Sequence, residues 1–158
     1  MSPAKKTSTK RSRVIGKRSL PQASSASVRI GRPTLTSPHV IFEILLVEGM
    51  LWMVVRNIGP KPAFHIRIKF DHSFKGLEGT KGMDTLPLFT QLEFLGPDRE
   101  IQTVLDRSAA YFQRNEPLRL VARASFEEDA GRRYETRSIH NLEVFRDLGY
   151  IRVKKPLS

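Results

Sequence analysis

Apolar residues take up a regular rhythm only from His39 onward; before that point they are scattered among Ser, Pro, Lys and Arg. Val40 to Val47 is rich in β-branched and large apolar residues, Glu48-Gly49 is a turn signal, and Met50–Asn57 resumes the apolar run. That layout predicts a hairpin. Phe64, Ile66, Ile68 and Phe70 then alternate with His65, Arg67, Lys69 and Asp71, the period-two pattern of a strand with one buried and one wet face. Leu118, Leu120, Ala122, Ala124 and Phe126 alternate with Arg119, Val121, Arg123 and Ser125 in the same way. Between these runs, Asn57-Ile58-Gly59-Pro60-Lys61-Pro62 is too proline-rich for regular structure. Asn57 and Gly59 suit a turn with unusual backbone angles, where an Asn side chain satisfies local backbone groups.

The weaker signals complete the chain. Residues 72–90, with Gly76, Gly79, Gly82 and Pro87, are expected as a long loop holding one short strand. Gly96-Pro97-Asp98 is a turn and Glu100–Leu105 a short strand; Asp106–Asn115 is a helical turn packing through Ala109, Ala110 and Phe112. Glu128-Asp129-Ala130-Gly131 is a hairpin loop before a strand over 132–140. The end, 141–151, reads either as a short helix through Leu142, Phe145 and Leu148 or as a strand extension. Trp52 is expected in the core or between sheets; were it exposed, it would be an interface anchor. Short strands, regular turn signals and no helix of core length predict an all-β fold. It is an immunoglobulin-like antiparallel β-sandwich of about seven strands. The expected organisation is a disordered basic arm over 1–38, a sandwich domain over 39–152 and a tail over 153–158.

Charge divides the chain at the same place. Of 27 Lys and Arg, nine precede Glu43, and all 16 Asp and Glu lie at or beyond it. Residues 1–42 therefore carry +9 and the remainder +2 of the net +11. A near-neutral domain with a cationic arm points to a polyanionic partner.

Leu51-Trp-Met-Val-Val-Arg-Asn57-Ile-Gly59-Pro-Lys-Pro-Ala63-Phe-His-Ile-Arg-Ile resembles the second and third strands of CARDB-like, immunoglobulin-type modules. Ser125-Phe126-Glu-Glu-Asp129-Ala-Gly131-Arg-Arg-Tyr134 is similar to their closing hairpin. Pro87-Leu-Phe89, Glu93-Phe-Leu95, His140-Asn-Leu-Glu-Val-Phe145 and Leu148-Gly-Tyr150 look like an uncharacterised group of small bacterial proteins built on this plan. The resemblance spans about 39–151 and implies a sandwich that binds or connects rather than one that catalyses.

Little in the chain points to catalysis. With no cysteine, a disulfide scaffold, thiolate zinc and a Cys nucleophile are excluded. The histidines, His39, His65, His72 and His140, lack metal-ligand spacing, so no metal and no cofactor are expected. Asp71-His72-Ser73 holds triad letters, but contiguous residues cannot build that geometry. No nucleophile elbow, P-loop or dinucleotide glycine pattern is present. The expectation is a non-enzyme.

Two groups of cations are the candidate sites. The arm offers Lys5, Lys6, Lys10, Arg11, Arg13, Lys17, Arg18, Arg29 and Arg32, which neutralise phosphates and release counterions without reading sequence. The arm has no aromatic residue, so it cannot stack bases. If the 64–70 and 118–126 strands are neighbours, their wet faces bring His65, Arg67 and Lys69 beside Arg119 and Arg123, with Arg133, Glu135 and Arg137 alongside. Like charges facing across strands cost stability unless an acid or a partner neutralises them. The expected function is an interaction module whose arm binds nucleic acid or another polyanion, with the sandwich as scaffold or protein-binding surface. The alternatives are a coat or shell protein whose arm meets packaged nucleic acid, and a bacterial accessory protein with a solubilising or targeting tail. No apolar run reaches the roughly 20 residues of a membrane span. The cytoplasm is the expected location, with organelle targeting by the arm still open. A protein partner is expected, but no motif identifies it, and the oligomeric state is not encoded in any motif found.

Overall fold

The computed structural model describes residues 3–4 and 35–148. The chain divides after Pro33 into two units, and the second, Thr34–Ser158, carries every strand among the described residues. The arm cations, the expected disorder of the arm and the tail over 153–158 lie outside the described residues.

The second unit is an antiparallel immunoglobulin-like sandwich. Its strands are β1 (Val40–Val47), β2 (Met50–Asn57), β3 (Ala63–Phe70), β4 (Lys75–Gly76), β5 (Lys81–Gly82), β6 (Leu92–Leu95), β7 (Glu100–Arg107), β8 (Arg119–Glu127) and β9 (Arg133–Asn141). One sheet has the order β1-β2-β7, the other β6-β3-β8-β9, and β4-β5 is a separate ribbon. The β1–β2 hairpin turns on Glu48 and Gly49, both at positive φ, as a two-residue hairpin turn of type I′ requires.

Alternation sends Val40, Phe42 and Ile44 from β1, and Leu51, Met53 and Val55 from β2, into the space between the sheets. From the other sheet they meet Ile66, Ile68, Leu120, Ala122, Ala124 and Phe126. β9 is different. Its inward side chains include Thr136, Ser138 and His140, and all three bond carbonyls of β1. Thr136 donates to Val40 O, Ser138 Oγ donates to Phe42 O at 3.3 Å, and His140 Nε2 lies 2.8 Å from Phe42 O. One side of the sandwich is thus closed by polar side chains on backbone acceptors. Burial holds the His140 imidazole below its ordinary pKa, while the Phe42 carbonyl pulls the other way.

Asn57 is the knot of the structure. It is fully buried, its Oδ1 accepts the His39 and Gly59 N–H groups at 3.1 and 3.0 Å, and its Nδ2 donates to Lys61 O and Leu95 O at 2.8 and 3.1 Å. The expectation of unusual backbone angles here needs correcting, because neither Asn57 nor Gly59 has positive φ. Gly59 is required by close approach: a Cβ there would lie 2.3 Å from Ser37 O and 2.6 Å from His39 N.

Other expectations change too. The 72–90 segment is more ordered than expected: β4, β5 and the one-turn helix α1 (Pro87–Thr90) lie in it. It delivers Phe74, Met83 and Phe89 to the core, where Phe42, Phe70, Phe74 and Phe89 meet edge to face at 5.0–5.7 Å. The ribbon is tied down by Asp106, 2 % exposed, whose carboxylate accepts the Glu78 and Arg107 N–H groups and Arg114 Nη2 at 2.6 Å. Helix α2 (Ser108–Gln113) buries Ser108 and Tyr111; of the residues expected to pack, Phe112 lies half-buried against the core and Ala110 is half-buried, while Ala109 is exposed. Trp52 is not in the core. It pairs with Leu45 and Val104 on the outer face of its sheet, half-buried, because Leu51 and Met53 beside it face inward. Asn141 ends β9 and caps a 3-10 turn, Leu142–Phe145, that seats Leu142 in the core. Among the described residues no helix is long and apolar enough to cross a membrane.

Candidate polyanion interface

The outer face of the four-stranded sheet is built by the wet halves of β3, β8 and β9. Antiparallel pairing puts residues in rungs across the strands, about 4.8 Å apart from strand to strand. Lys69 pairs with Arg123, and Arg123 with Arg137, so one rung consists of three cations. The next rung outward holds Asp71, Val121 and Ile139, and beyond it Arg119 pairs with Asn141. Together Lys69, Asp71, Arg119, Val121, Arg123 and Arg137 line an open depression of about 310 Å³.

Its one acid is already engaged. Asp71 Oδ1 accepts the Val121 N–H at 2.9 Å, and Oδ2 is 3.1 Å from His72 Nδ1. The Val121 N–H, with His72 adding to it, holds the Asp71 carboxyl below its ordinary pKa. Of the four cations only Arg123 has an ion pair among the described residues, with Glu135 at 4.0 Å and both side chains 62 % exposed. A pair that long and that wet contributes little.

The other end of the face is organised differently. Between Phe64 and Arg67 the register with β8 shifts, so that His65 and Ile66 oppose Phe126 alone. His65 takes φ 50° at this bulge, a conformation uncommon outside glycine. The shift turns His65 toward two carboxylates: Nδ1 is 3.1 Å from Glu127 Oε2, and Nε2 is 3.6 Å from Glu93 Oε2. Arg67 Nη2 donates to Glu93 Oε1 at 2.7 Å, and Arg133 Nε to Glu127 Oε1 at 2.9 Å. His65 and Arg133 hold the Glu127 carboxyl below its ordinary pKa.

The five sheet residues singled out from sequence therefore share a face but do not form one site. Lys69, Arg119 and Arg123 stand together with Arg137, whereas His65 and Arg67 are matched by Glu93 and Glu127. Glu93 enters the sequence reading only through the family resemblance and not as a site residue, because β6 has no legible strand pattern. The same holds for Phe94 on the same strand, which is 56 % exposed beside Phe64. Among the described residues, no group of three or more His, Asp or Glu is placed to hold a metal ion.

No curated protein matches this chain. A family model does match it, over residues 14–146, a stretch that takes in the whole cationic rung: the chain belongs to the family described as Domain of unknown function (DUF8453).

Proposed function

We propose that this protein is a non-enzymatic binding module for the phosphate backbone of nucleic acid. Lys69, Arg119, Arg123 and Arg137 form its folded contact, and the arm residues Lys5 to Arg32 add long-range attraction. The observation that carries the reading is the Lys69–Arg123–Arg137 rung. Three cations side by side on adjacent strands repel one another in the free protein, and a bound polyanion removes that cost. The CARDB-type resemblance supports binding rather than turnover. The family match takes in Lys17, Arg18, Arg29 and Arg32 of the arm as well as the rung.

The test is binding of mixed-sequence DNA and RNA across a salt series, by the full chain, by a version starting at Thr36, and by Arg123→Ser/Arg137→Ser. Log affinity should fall linearly with log salt. On duplex DNA the slope should shrink by about 0.9 for each phosphate that is no longer neutralised, so by about two in the double variant. Absence of binding above background at low salt for the full chain would end this reading.

A further inference from the structure

We infer that the anionic partner is a single-stranded nucleic acid and that Phe94 is a platform on which one of its bases stacks. This rests on the polyanion reading above and adds a second, uncharged contact to it. Among the described residues Phe94 is the most exposed of the large aromatic side chains, at 56 %, and it belongs to the same face as the cations. It pairs with Phe64 across β6 and β3, Phe64 pairs with Glu127, and Glu127 alternates with the buried Phe126. Phe64 backs the exposed ring edge to face, with centroids 5.4 Å apart and planes at 62°, so the ring is held in place before any ligand arrives.

The spacing fits an extended strand. The rungs of Phe64 and Lys69 are four steps apart along β8, from Glu127 to Arg123, because the bulge takes up one residue of β3; that is roughly 14 Å at about 3.4 Å per residue, and Arg67 lies between. A chain running down β3 would set a base on Phe94 and its phosphates over the Lys69–Arg123–Arg137 rung. Glu93 and Glu127 are held along the sheet by Arg67, His65 and Arg133, so the acids near the ring are already countered. A duplex has its base faces inside its own stack and leaves an exposed phenyl ring nothing to cover. Every base has a π-face, so the contact is tolerant of sequence.

The experiment measures binding of the full chain to a short oligouridylate, a short oligothymidylate and a duplex of equal length, each across a salt series. Phe94→Ala is expected to lower affinity for both single strands roughly tenfold. Duplex affinity and the salt slope should stay unchanged, and Phe94→Tyr should restore binding. Phe94 lies outside the core cluster, so the fold tolerates the change. Unchanged single-strand affinity in Phe94→Ala overturns the inference, and a persisting salt slope in that variant would leave the polyanion reading standing. A loss shared equally by duplex and single strands also overturns it. Absence of any salt-dependent binding by the unaltered chain removes both.

Discussion

Arg67 and Arg133 at one end of the outer sheet face, and Arg123 and Arg137 at the other, are the same side chain on neighbouring strands. Their situations are opposite. The first pair is held at 2.7 and 2.9 Å by Glu93 and Glu127; the second has one contact at 4.0 Å between them. Glu93 reaches Arg67 from β6, 26 residues away in sequence, whereas Glu127, the last residue of β8, faces Arg133 directly across the β8–β9 hairpin. What a cation can do for a partner therefore depends on who its cross-strand neighbours are. A count of basic residues along one strand treats the two ends alike.

The sharpest way to break this contrast is to reverse the unmatched end. Arg123→Glu/Arg137→Glu should lower nucleic-acid affinity at low salt by about thirtyfold or more, because fewer phosphates are neutralised and new repulsion is added. Arg67→Ser/Arg133→Ser should lower it by less than about threefold, because those guanidinium groups are already neutralised. Equal losses from both pairs would mean that the two ends act as one undifferentiated cationic surface. A complementary change makes the matched end resemble the other. Glu93→Gln/Glu127→Gln frees Arg67, His65 and Arg133, and should steepen the salt slope by about one. A slope that does not move would show that Arg67 and Arg133 are out of reach of any ligand.

The same contrast marks how much the sequence discloses. Strands β1 and β2 were legible to the residue, because each is a continuous apolar run bounded by a turn signal. The face shared by Arg67, Lys69, Arg119 and Arg123 was legible because period-two alternation determines which side chains stay wet. Its division was not. The bulge at His65 reverses the facing of β3, so that Phe64 lies outside and Ile66 inside although they are two apart. Strand β6 has four residues and pairs against this irregular stretch, so Leu92, Glu93 and Phe94 show no pattern of their own. Phe74, Met83 and Phe89 read as loop residues because their burial comes from distant strands and not from any local period. Trp52 misled for a simpler reason. Size and hydrophobicity argue for the core, but its phase in β2 is opposite to that of Leu51 and Met53, and phase decides.

Binding and stability should also pull against each other at the unmatched end. Arg123 sits between Lys69 and Arg137, so Arg123→Thr removes two like-charge contacts and introduces a good strand former. We expect it to raise unfolding free energy by about 0.5 kcal/mol, read as a higher denaturant midpoint. The gain should fade as salt screens the repulsion. Arg67→Thr should show no such gain, since it breaks an ion pair. If Arg123→Thr destabilises, its contact with Glu135 outweighs the repulsion and the rung is not strained.

The smallest effect tests the matched end through pH. Glu127 has its folded pKa lowered by His65, and then by Arg133, so the folded state binds its proton more weakly than the unfolded chain does. Stability from this group is therefore fully present above the ordinary glutamate value of about 4.3 and is lost as pH falls through the lower folded value. Glu127→Gln cannot lose a proton and should lack that dependence. Denaturant midpoints of the two proteins should differ slightly at about pH 6 and converge only below the ordinary carboxylate range. A difference that stays constant on acidification would mean that Glu127 holds its neighbours by packing alone, and that the charge matching separating the two ends is not what stabilises this one.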